Sequence, residues 1–128
     1  MLRPPLLSAR PLPLRVLLVL LGPILTGALG GWLLGESATG YLVYVTVMIL
    51  GGVGTGMEHA ALRGGALRGL SGGTLFAGSI LVTHELIGGP IVASLPSPPV
   101  LIVAIYGTAG TLFGTLGAAL RRRFMPAV

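Results

Sequence analysis

Cysteine, lysine, aspartate, asparagine and glutamine are all missing from this 128-residue chain. Without cysteine there are no disulfides, no thiolate metal sites and no cysteine nucleophile. Acidic side chains number three, Glu36, Glu58 and Glu85, and charged residues are 9% of the sequence. A soluble domain carries roughly a quarter. A chain so poor in charge and 53% hydrophobic cannot cover a water-facing surface with solvated groups, so lipid is its expected solvent. The net charge of +5 does not point to nucleic acid, because the arginines fall in short clusters between apolar runs. Membrane lipids with anionic headgroups are the simpler partner.

Four apolar runs are present, in a length that allows one small domain. A helix crosses a bilayer with about 20 mainly apolar residues. The runs that meet this are 14–34, 41–62, 67–87 and 99–120, between a disordered basic arm (1–13) and a basic tail (121–128). Proline, which breaks interior helical bonding, marks the same boundaries: Pro4, Pro5, Pro11 and Pro13 precede the first run, and Pro90, Pro96, Pro98 and Pro99 separate the third from the fourth. Pro23 alone lies inside a span and predicts a kink there. The basic start followed by VLLVLL has the look of a secretory signal, but the apolar run continues to Leu34 with no small-x-small cleavage site, so it reads as a retained span.

The eight arginines set the orientation. Arg3, Arg10 and Arg15 precede the first run, Arg63 and Arg68 join the second to the third, and Arg121, Arg122 and Arg123 close the fourth. All fall on one side, which the positive-inside rule makes cytoplasmic. The expected fold is therefore an all-α, four-transmembrane-helix bundle with both termini in the cytoplasm, in a bacterial inner membrane. Trp32, Tyr41 and Tyr44 are expected near the outer interface, where amphipathic rings favour the headgroup level.

Glycine recurs at helical spacing. Gly107, Gly110, Gly114 and Gly117 keep to one face of the fourth run, Gly52 and Gly56 share a face of the second, and Gly69 and Gly73 with Ala77 form a stripe on the third. Small residues four apart let backbones approach closely, so these are expected helix-packing positions. AALR at Ala60–Arg63 recurs at Ala118–Arg121, and Gly52 and Gly56 align with Gly110 and Gly114 at the same offset, the pattern of two repeated helical hairpins.

Two polar pairs interrupt the apolar runs, Glu58-His59 and His84-Glu85. The first is the candidate polar or ion site. His59 follows Thr55 by four residues and precedes Arg63 by four, so the three share a helical face, and Glu58 is within reach of Arg63, Arg68 or a headgroup amine. An intramembrane carboxylate beside a histidine is a chemically competent proton or cation handle. His84 and Glu85 are a secondary candidate, expected close enough to the opposite surface to reach water or headgroups. With Glu58 just inside one boundary and His84 near the other, the pairs should lie roughly 15–20 Å apart. One subunit then cannot bring both to a single metal ion, nor both histidines to one haem. No metal site and no cofactor are expected, and GGVGTG is not a phosphate loop because no Lys-Ser/Thr follows it. Nucleophile-elbow and zinc-protease patterns are missing too, so no catalytic residues are assigned.

From Leu67 the text runs LRGLSGGTLFAGSILVTHELIGGPIVASLPSPPV, then a glycine-bearing span and RRR. This order, a basic start, a small-residue helix ending near a histidine, a proline-containing outer loop and an arginine stop, resembles the YagU-like bacterial inner-membrane proteins. The likeness covers about the last 60 residues; the longer aromatic outer segment and a histidine in the fourth span are lacking. It implies a small helical inner-membrane protein and carries no activity. The expected function is a non-catalytic accessory, assembly or stress-related subunit, homo-oligomeric or part of a larger membrane complex. The alternative is an oligomeric channel or transporter for a small solute, proton or ion that uses Glu58 and His59.

Overall fold

A computed structural model describes residues 5–125. Residues 1–4 of the expected arm and 126–128 of the expected tail lie outside the described residues. Among the described residues all regular structure is helical, and four helices are long and apolar enough to cross a membrane: α1 Leu12–Glu36, α2 Ala38–Gly56, α3 Leu62–Ile87 and α4 Leu101–Phe124.

The boundaries differ from the sequence expectation in a consistent way. The second helix stops at Gly56, six residues early, and the third starts at Leu62, five residues early. Arg63 and Arg68 therefore belong to the first two turns of α3 and not to a connecting loop. Similarly, Arg121–Arg123 form the last turn of α4, where cations favour the negative end of the helix dipole.

Each end has a local cause. Ser37 is the single extended residue between α1 and α2, and its hydroxyl caps α2 by accepting the Gly40 N–H at 2.9 Å. At the end of α3 the Gly88 N–H returns to the His84 carbonyl while Gly88 takes φ +81, a conformation that favours glycine. Within α1 the five residues Leu17–Leu21 form a π turn directly before Pro23. Such turns appear where a helix must absorb a missing bond, so the anticipated disturbance at Pro23 takes this form.

The α3 and α4 backbones are in direct contact. A side chain on Gly69 would run into the Gly110 carbonyl, one on Gly73 into that of Tyr106, and one on Gly65 into that of Gly114. Gly56 and Gly117 bring the last turn of α2 onto α4 in the same manner. Gly107 meets the Thr74 side chain, and Gly52 meets only Phe113 at an ordinary distance. The aligned pair Gly52 and Gly110 thus sit in unlike surroundings. On the other side of α3, Gly27 and Gly31 of α1 rest on Phe76, Ser79, Ile80 and Thr83.

Larger apolar side chains fill one half of the structure, around Leu34, Tyr41, Phe76, Ile80 and Ile102. The loop after α3 closes this end: Ala93 is buried, and the Val92 N–H bonds the Leu34 carbonyl at 3.0 Å. Tyr41 was expected near the outer interface, yet it is 1% exposed and shares a 2.7 Å hydroxyl contact with Tyr106. Its neighbours Leu34 and Ile102 enclose it, and the partner hydroxyl removes the cost of an unpaired buried O–H. Trp32 is exposed. Leu25, Val47, Leu67, Val82, Ile105 and Leu112 face outward from all four helices, leaving the outside of the structure apolar.

Candidate functional site

The break between α2 and α3 places Glu58 and His59 in the short connection at the arginine-bearing end, outside both helices. The ion-pair partner of Glu58 is Arg10, while its charge also acts on Arg68 without a direct contact between them. Arg10 donates to its carboxylate at 3.0 Å, and the Leu7 N–H bonds the Glu58 carbonyl at 2.9 Å. Part of the segment expected to be a disordered arm packs on this connection: Leu7–Ala9 make a 3-10 turn and Leu7 is buried. The apolar Leu7 and the basic Arg10, three residues apart, together cover the α2–α3 break.

Arg121 of α4 closes the same break from the other side by donating to the Met57 carbonyl at 2.6 Å. Met57 follows the last residue of α2, so this is a cation satisfying a helix C-terminus. The sequence set Arg63 and Thr55 beside His59 on one continuous helix, and the helix ends before His59. Arg63 is exposed, and the Thr55 hydroxyl donates to the Gly52 carbonyl of its own helix at 3.0 Å. Because α2 has ended by Gly56, a four-residue spacing no longer aligns Thr55, His59 and Arg63.

His59 lies over Gly64, and its Nε2 is buried with no hydrogen-bond partner among the described residues. Burial, and then the positive charge of Arg68, hold its imidazole below the usual histidine range; the Glu58 carboxylate pulls in the opposite direction.

Arg68 is the residue that sequence reasoning underrated. Its guanidinium donates to the Leu18 carbonyl of α1 at 3.0 Å. That carbonyl has been orphaned by local sequence. Gly22 N–H, its partner in a regular α-helix, bonds Leu17 instead, and the next residue, Pro23, has no N–H. The signal was present as Pro23 on one helix and an arginine seven residues into another, but pairing them needs the fold.

At the far end, His84 is buried and does not reach the surface as expected. Its ring packs on Gly35, and its Nε2 is 3.2 Å from the Gly89 carbonyl. Glycine at 31 and 35 lets α1 come close enough to cover it. Glu85, one position around the helix, is exposed. Since α3 rises 1.5 Å per residue, and His59 packs at the level of Gly64, the 20 residues from Gly64 to His84 put the two histidines about 30 Å apart along the helix, well over the separation read from the sequence. The difference comes from the early end of α2 and early start of α3.

In comparison with known proteins, no family model, no curated protein and no solved structure matches the chain.

Proposed function

We propose that this chain is a small multi-pass membrane protein with both termini and the α2–α3 connection in the cytoplasm, acting as a non-catalytic accessory or assembly subunit through its helix faces. The observation that carries this reading is the use of its charged groups. Arg10 and Glu58 hold each other, while Arg68 and Arg121 satisfy backbone carbonyls of other helices. A machine that moves ions or performs acid–base chemistry needs groups left free to meet a substrate. Here Arg10, Glu58, Arg68 and Arg121 each make a contact that holds one segment of the chain to another.

Grouping of the seven described arginines at the same end of the helices supports the orientation. Direct contact of the α3 and α4 backbones supports glycine-driven packing in lipid, where close approach replaces the missing hydrophobic drive. The bacterial inner membrane and the YagU-like resemblance belong to the same reading and add no activity. The apolar outer surface suits contact with lipid, further copies or a larger membrane complex.

The second reading, an oligomeric channel or transporter, has one observation on its side: the unpartnered Nε2 of His59 beside Glu58. Native mass spectrometry after gentle extraction, followed by proteoliposome flux, separates the two. A stoichiometric complex with no flux from the isolated chain supports the accessory role. Flux that disappears in Glu58→Gln and survives in Arg122→Gln replaces it with the transporter.

A further inference from the structure

A slot of about 290 Å³ lies among all four helices. Its wall runs from Leu18 to Thr26 on α1, from Met48 to Thr55 on α2 and from Arg68 to Phe76 on α3. Three helices each contribute about eight or nine residues of length, so the slot follows the helix axes for about 12 Å at 1.5 Å per residue. Its two ends differ. Arg68 stands at one, about 9 Å along α3 from Leu62. Phe76, Met48 and Tyr106 form the other.

The hydroxyls along the wall are already engaged: Thr26 with carbonyls of its own helix, Thr55 with Gly52, Tyr106 with Tyr41. Arg68 is different. One nitrogen serves Leu18, while Nε is buried with no hydrogen-bond partner among the described residues. Glu58, the one acidic residue at this end, is ion-paired with Arg10; its charge also acts on Arg68, but it makes no hydrogen bond to it. A file of water would need about two to four polar partners per molecule, and the slot wall is overwhelmingly apolar. The shape and chemistry instead match a rod that is apolar along its length and anionic at one tip.

We propose that the slot holds a single acyl chain whose anionic head pairs with Arg68. Its volume is at the lower end of ligand sites, which run from about 300 Å³, so it admits one chain segment and not both chains of a phospholipid. The head sits near the arginine-bearing end of the helices, at a depth a lipid or a free fatty acid can reach from the same leaflet. The inference rests on the membrane placement proposed above.

The test uses the full chain in nanodiscs of phosphatidylcholine alone, with phosphatidylglycerol, or with oleate, each analysed for retained lipid by native mass spectrometry. One retained anionic species per chain is expected, favoured at least about tenfold over phosphatidylcholine, as a charge-assisted contact allows. The phosphatidylglycerol and oleate arms tell the two sources apart. Arg68→Gln is expected to abolish the preference. Gly22→Leu should exclude the chain while leaving Arg68 in place, because Gly22 lines the slot and a Cβ there meets nothing within 4 Å. Arg122→Gln, an exposed cation of the same end, should change nothing. Equal retention of phosphatidylcholine, no retained species, or a preference that survives both slot variants overturns the proposal. A protein that does not enter the nanodisc overturns the membrane placement and the slot together; one that enters and retains no anion overturns the slot alone.

Discussion

The guanidinium of Arg68 on α3 donates to the carbonyl oxygen of Leu18 on α1, 3.0 Å away and 50 residues distant in sequence. The contact repairs a defect that the chain itself creates. Gly22 turns to Leu17 in the π turn, and Pro23 has no hydrogen to offer, so Leu18 has no partner within its own helix. An arginine and a proline on different helices thereby become one structural unit.

Replacement of that arginine by an apolar residue of similar length, Arg68→Met, should cost about 1–3 kcal/mol by leaving a part-buried carbonyl unsatisfied. In a Pro23→Ala background the loss should be smaller, because alanine at that position restores an N–H to the stretch of α1 that faces the Leu18 carbonyl. Unfolding in detergent, with all four combinations compared, measures the coupling. Equal losses in both backgrounds would refute the repair.

The glycines of the α3–α4 contact should not be equivalent to those elsewhere. Gly69→Ala forces a methyl into the Gly110 carbonyl and is expected to lose at least about 1–3 kcal/mol through overpacking. Gly78→Ala, on the same helix with nothing within 4 Å of the new atom, should be neutral or stabilising by about 0.5–1 kcal/mol. Thermal melts of the two variants in one detergent make the comparison.

Removal of one hydroxyl from the Tyr41–Tyr106 pair should be worse than removal of both. Tyr106→Phe leaves the buried Tyr41 hydroxyl without its partner, an expected loss of about 1–3 kcal/mol, whereas the double Phe variant leaves no unpaired group. The melting temperatures should therefore order as wild type, double variant, single variant. A double variant no better than the single would show that the hydroxyls are satisfied in some other way.

Acid should destabilise the fold through His59. Burial and Arg68 lower its folded-state affinity for a proton, so the unfolded chain, with an ordinary histidine, binds the proton more tightly. Stability linked to this group is fully present above the ordinary value of about 6.5. It falls as the pH drops below that value, until the folded-state ring also protonates. His59→Gln should flatten the dependence of melting temperature on pH between about 7 and 5. An unchanged slope would place the titration in another group.

Four apolar runs of spanning length, the break at Pro23 and the grouping of the arginines were all readable from residue order, because each is a local property of composition. The α2–α3 boundary was not. Residues 57–61 are as compatible with helix as their neighbours, and only tertiary partners decide the matter: Arg10 holds Glu58, Arg121 takes the Met57 carbonyl and Leu7 covers the gap. Once α2 stops at Gly56, the helical register that joined Thr55, His59 and Arg63 is lost, and with it that grouping. Tyr41 was misplaced for a related reason. Its hydropathy says interface, while its burial depends on Tyr106, 65 residues away. His84 likewise needed Gly31 and Gly35 of α1 to bury it.

Compartment labelling of single cysteines tests the central claim most directly, since the chain has no native cysteine to remove. Ala60→Cys in the α2–α3 connection and Ser94→Cys in the loop after α3 are both exposed positions. In intact cells a membrane-impermeant maleimide should label position 94 and reach position 60 only after the membrane is opened. Labelling of both positions from the same side would contradict four membrane-crossing helices with every arginine in the cytoplasm.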